Sequence, residues 1–167
     1  DTSDEGEQSV TLVAKNEGFK TASKVQYAAM GGDFSKAGLE YTGALSVLNV
    51  IFSYDYLWLN VRVQGGAYGC MCSFTRTGKS YFTSYRDPNL KRTYDVYRGA
   101  LEYVKNFSVS ERDMLKYIIG TIAKLDTPMT ASGEGSFSFT CYMLGIDDAR
   151  LQKDRDEVLS CDVETIR

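Results

Sequence analysis

One stretch constrains the fold more than any other: the apolar run at residues 43–61. Wound at the helical period, Ala44, Leu45, Val47, Leu48, Val50, Ile51, Phe52, Tyr54, Leu57, Trp58 and Val61 surround most of the circumference. Such a stretch predicts a long helix buried on most sides. Gly65-Gly66 stands just past it, where a helix stop favours glycine. The chain has 167 residues, enough for one domain with a core around that helix. Apolar residues at 43% and charged residues at 25% are ordinary for a globular domain.

Strand signals flank the helix. Val25, Tyr27 and Ala29 alternate with Lys24, Gln26 and Ala28, which predicts a half-buried strand ended by Gly31-Gly32-Asp33. A short strand at 10–14 and a turn at Asn16-Glu17-Gly18 precede it. Downstream, 67–76 and 79–85 are separated by Thr77-Gly78, a hairpin signature stopped by Asp87-Pro88-Asn89. After Pro88, Tyr94, Tyr97, Leu101 and Val104 recur at helical spacing. Ser110 with Asp113 resembles a capping box and opens a helix carrying Met114, Tyr117, Ile118, Ile122 and Leu125. Residues 127–138 are rich in Ser, Thr and Gly and predict a loop; 147–161 predicts a charged surface helix. Asp162-Val163-Glu164 opens one more helix, and its short remainder suggests a piece of a longer polypeptide. The order predicts a single α+β domain over 1–167, with helices on one face of a mainly antiparallel sheet.

The absence of histidine excludes the most chemistry: no Ser-His-Asp triad, Cys-His pair or His-ligated zinc can form within the chain. A net charge of −3 argues against nucleic-acid binding, and no apolar run suggests a membrane span. Cys70, Cys72, Cys141 and Cys161 read as packing residues in a reducing, cytoplasmic setting. Gly78-Lys79-Ser80 imitates the end of a phosphate loop, but Ser73 occupies the position of its first glycine, and the segment joins strands. Asp154, Asp156 and Glu157 alternate with Lys153 and Arg155, the pattern of a solvated helix face. The tyrosines read as core residues.

Residues 57–69 are different. Arg62 ends the apolar helix, Gly65-Gly66 turns the chain and Tyr68 opens the next strand. This puts a guanidinium and a phenol on one rim of the sheet. A plain structural reading is also open: Arg62 favoured at a helix C-terminus, Gly65 and Gly66 as caps, Tyr68 in the core. Two adjacent glycines exceed one cap and permit close approach to the backbone.

At these residues the chain resembles the pitrilysin/insulinase family of zinc metallopeptidases, in its presequence-protease-like branch. The resemblance runs from Lys15-Asn16-Glu17-Gly18-Phe19 through Val25-Gln26-Tyr27 and Tyr56-Leu57-Trp58 to Arg62-Val63-Gln64-Gly65-Gly66-Ala67-Tyr68-Gly69, the specific part. It implies two halves, built from related α+β domains, that close around a chamber and degrade unfolded peptides. Zinc would be held by an N-terminal domain of the same polypeptide, on an inverted histidine-glutamate-histidine motif, and none by this chain. Arg62 would engage the substrate backbone and Tyr68 would lie near the scissile carbonyl as catalytic and substrate-binding residues. Gly65 and Gly66 would shape the turn presenting them. The chain alone would be inactive. The alternatives are a non-catalytic scaffold or peptide-binding domain of an inactive relative, and an independent binding domain that shares only the fold.

Overall fold

The computed structural model describes residues 19–167; the expected strand at 10–14 and turn at 16–18 lie outside the described residues. Three strands, β1 (Gln26–Asp33), β2 (Gly69–Phe74) and β3 (Lys79–Asp87), form an antiparallel sheet in the order β1-β3-β2. β2 and β3 make the expected hairpin. Its loop closes with the Gly78 N–H donating to Thr75 O (3.0 Å), and Gly78 takes φ +83°, the left-handed conformation that tight hairpin loops ask of glycine.

The apolar run is helical throughout, but not uniformly. α1 (Ala44–Ile51) continues as two wider π-helical stretches, Phe52–Tyr56 and Trp58–Val63. The Gln64 N–H donates to Leu59 O at 2.9 Å, five residues back, the mark of that winding. This helix is the spine of the molecule. Phe52, Leu57 and Val61 pack with Ala28 and Cys72 of the sheet and with Tyr97 and Ala100 of α2 (Lys91–Lys105). Further back, Ala44, Val47 and Ile51 pack against Phe107, Met114 of α3 (Glu111–Leu125), Val158 of α5 (Asp148–Leu159) and Ile166 of α6 (Val163–Ile166). Helices therefore cover one face of the sheet, as the α+β reading requires.

Several expectations are corrected. The spine is not buried on most sides: Tyr54, Trp58, Leu59 and Val63 are exposed, since packing partners meet only one side of its outer half. β1 presents the opposite face from the one expected. Ala28 is buried while Val25 and Tyr27 are exposed, and Gly31-Gly32 continues the strand opposite Tyr81 and Ser80. Leu101 faces outward and Ala100 inward. The expected loop at 127–138 lies largely in a helix, α4 (Ala131–Leu144), capped by the Thr130 hydroxyl accepting from Gly133 N (3.2 Å). Its apolar residues Phe139, Tyr142, Met143 and Leu144 are exposed. Asp154 is buried rather than solvated, accepting from Arg76 Nε at 2.8 Å and Arg150 Nε at 3.0 Å. Five of the twelve tyrosines, Tyr27, Tyr54, Tyr68, Tyr81 and Tyr142, are exposed rather than in the core, whereas Tyr97 is buried and Tyr56, Tyr94, Tyr103 and Tyr117 pack against the core clusters. Among the described residues no helix is long and apolar enough to cross a membrane.

Candidate functional site

The rim residues meet where the spine ends and β2 begins. Arg62 lies in the last π-helical turn, and its Nε donates to the Tyr68 carbonyl at 3.0 Å. Its guanidinium lies over the Trp58 ring, 4.0 Å from Cζ to the ring centroid. Tyr68 is 60% exposed, which rules out the core reading of its side chain. Its ring meets Tyr85 edge-on, centroids 5.4 Å apart, and the Arg86 guanidinium lies 5.5 Å from its centre. One indole, two phenols and two guanidinia thus share one exposed rim.

The turn between Arg62 and Tyr68 explains its glycines. Gly66 has φ +78°, and its N–H donates to Arg62 O at 2.9 Å, a left-handed stop of the kind glycine serves. A side chain on Gly65 would run into the Val61 carbonyl. The approach that the double glycine permits is therefore the chain's own: the helix end behind and Asn89 in front, whose amide donates to Gly65 O. Arg92 Nη1 donates to Gln64 O at 2.9 Å. Two carbonyls left orphaned at the helix end are thereby satisfied by side chains around the start of α2.

Sequence reasoning missed what anchors that clamp. Asp87, expected only to stop a strand, is fully buried and accepts from Ser84 Oγ (2.6 Å), Thr93 Oγ1 (2.7 Å) and Asn89 N (2.8 Å). It also missed Arg86. The pairing of β1 with β3 shifts between Gln26 and Ala28, so Tyr85 and Arg86 together oppose Tyr27, a β-bulge. Arg86 there takes φ +47°, the one non-glycine residue with positive φ among the described residues, and the bulge turns its guanidinium onto Tyr68. No residue type in Ser84-Tyr85-Arg86 announces a bulge. The Asp-Pro-Asn run was the available signal for Asp87, since aspartate bonding the backbone two residues on is a turn device.

The electrostatics around the rim are mild. Burial pushes the Cys70 thiol up, and the positive charge of Arg62 partly offsets this. Burial lifts Cys72 to about 11 and Tyr97, beneath the sheet, to about 12. Gly78-Lys79-Ser80 serves the hairpin, with the Lys79 amine paired to Asp33, and opens no helix. Among the described residues no group of three or more His, Cys, Asp or Glu could hold a metal ion, and the chain has no histidine. The chemistry these residues offer is that of hydrogen-bond donors, an exposed phenolic hydroxyl and guanidinium N–H groups.

A family model, the PreP C-terminal domain, matches residues 16–166. "Protein HypA" of Clostridium perfringens is 45% identical over 96% of this chain, which covers 16% of that protein. "Presequence protease 1, chloroplastic/mitochondrial" of Arabidopsis thaliana is 33% identical over 93% of the chain and 14% of its own length. "Presequence protease, mitochondrial" of Aspergillus oryzae is 29% identical over 91% of the chain and 15% of its own length. The chain thus spans about one-seventh of these relatives. It is a domain of a peptidase family. It belongs to the PreP C-terminal domain family, within the presequence-protease branch that residues 62–69 suggested.

Proposed function

We propose that this chain is the substrate-facing C-terminal domain of a zinc-dependent endopeptidase of the pitrilysin/insulinase type, which degrades unfolded peptides in a closed chamber. Zinc belongs to N-terminal domains of the same polypeptide, in the cytoplasm, and the chain cleaves nothing by itself. Nucleic acid and membrane are not its partners. One domain spans 1–167, and its part in the reaction is carried by Arg62 and Tyr68, presented by the Gly65-Gly66 turn.

The observation that carries the reading is the joint held between those two residues. Arg62 Nε is committed to the Tyr68 carbonyl at 3.0 Å, which leaves its terminal nitrogens for an incoming peptide. A guanidinium is a rigid fork of donors suited to backbone carbonyls. The exposed Tyr68 hydroxyl, held on the same backbone, donates to the scissile carbonyl oxygen as negative charge gathers there. A donor aimed at a developing oxyanion acts in the transition state more than in the ground state. Loss of one such donor costs roughly 10²–10³ in rate where measured.

The test is peptide hydrolysis by the complete polypeptide that carries this chain, wild type against Tyr68→Phe, with zinc present. The substitution removes one exposed hydroxyl and keeps the ring against Tyr85. A fall in kcat of at least ~10-fold is expected. Unchanged kinetics in an active enzyme would reduce Tyr68 to packing, and an inactive wild type would favour the scaffold alternative.

A further inference from the structure

We propose that Trp58 is a positioning residue for Arg62: its indole face holds the guanidinium flat, so that the terminal donors reach the substrate in one orientation. This rests on the reading of Arg62 as a substrate-binding residue.

The geometry points to Trp58 in four ways. The guanidinium carbon lies 4.0 Å from the indole centre, nearer than in the other cation–ring pairs among the described residues, the next being 5.2 Å. Contact with the ring restrains the group from one side, and the Nε bond to Tyr68 O orients it from another. Neither constraint uses the terminal nitrogens. Second, no carboxylate among the described residues pairs with Arg62. Third, Trp58 and Arg62 stand four apart on one helix, the spacing that makes side chains neighbours on one face. Fourth, Trp58 is the chain's one tryptophan and remains 44% exposed, which core packing does not require. Stacking also explains the demand for arginine: a lysine keeps the charge but has no plane to lay on the indole.

The experiment measures kcat/KM for peptide hydrolysis by the complete polypeptide. Trp58→Leu and Trp58→Phe are each made in the wild-type and Arg62→Gln backgrounds. In the wild type, Trp58→Leu is expected to lower kcat/KM about 5- to 30-fold, and Trp58→Phe, which retains a ring face, less than about 3-fold. In the Arg62→Gln background, Trp58→Leu is expected to cost less than about 2-fold, because the two residues act as one unit. A purely structural role would give equal losses in both backgrounds and no rescue by phenylalanine, and either result overturns the proposal. So does a silent Trp58→Leu in an enzyme that Arg62→Gln impairs. A silent Arg62→Gln removes the substrate-binding reading itself and this inference with it, so the two failures are told apart by that one variant.

Discussion

Asp87 is the buried hub that joins the hairpin to α2, and its removal has a magnitude that can be worked from its neighbours. Its side chain has no solvent exposure, and its partners are the Ser84 and Thr93 hydroxyls, both on Oδ2, and the Asn89 N–H on Oδ1. Asp87→Ala leaves two buried hydroxyls and one half-buried N–H without an acceptor. Each such group costs about 1–3 kcal/mol, and because the hydroxyls can partly find other acceptors, the expected sum is about 3–5 kcal/mol. Asp87→Asn is the informative comparison. Its amide oxygen can still accept from Asn89 N, while its amide nitrogen donates to a hydroxyl that rotates to accept. The expected loss is then about 1–2 kcal/mol, the difference between a charged and a neutral acceptor. Equilibrium urea unfolding of the chain, followed by far-ultraviolet circular dichroism, reads both values at unchanged slope. If asparagine is no better than alanine, or alanine costs under about 1 kcal/mol, the hub reasoning is refuted. The same substitution frees Asn89 from its turn and weakens its hold on Gly65 O, so the rim should loosen with it.

The Lys79 amine and the Ser35 hydroxyl hold the Asp33 carboxyl at about 2, against an ordinary 3.8. A lowered folded-state value contributes stability above 3.8 that is lost as pH falls through about 2. Lys79→Met should therefore narrow the stability gap between the ends of that window, and parallel acid titrations of the two proteins would contradict the assignment. Asp154→Ala should destabilise the chain by about 2–3 kcal/mol, since it strands two guanidiniums that bind a buried carboxylate but are themselves about one-third exposed. Urea midpoints within error of wild type would return Asp154 to a solvated face.

Much of the architecture was legible because its signals are local. The hairpin needed only Thr77-Gly78 between two apolar runs, and the Ser110–Asp113 box was visible as a spacing. Helix 131–144 was not legible, because glycine and serine inside it oppose helix by intrinsic preference and only the Thr130 cap favours a start. The face of β1 was misread because residues 24–29 carry apolar side chains on both sides, and Ala28 is too small to mark the buried one. Arg62, Gly65, Gly66 and Tyr68 stood out as candidates because they fall within seven residues of one another, at a helix end followed by a double glycine.

By itself the sequence determined that a long apolar helix would organise the domain, that an antiparallel hairpin would follow it, and that no histidine chemistry could reside here. Each follows from residue type, period or plain absence, which need no knowledge of distant neighbours. Tertiary structure decided the rest. The bulge that turns Arg86 towards Tyr68 and the Asp87 hub that fastens the Gly65 turn join segments apart in sequence or adjust strand register. Such features arise when packing and pairing compete with local preference, and only the folded chain records which of them prevailed.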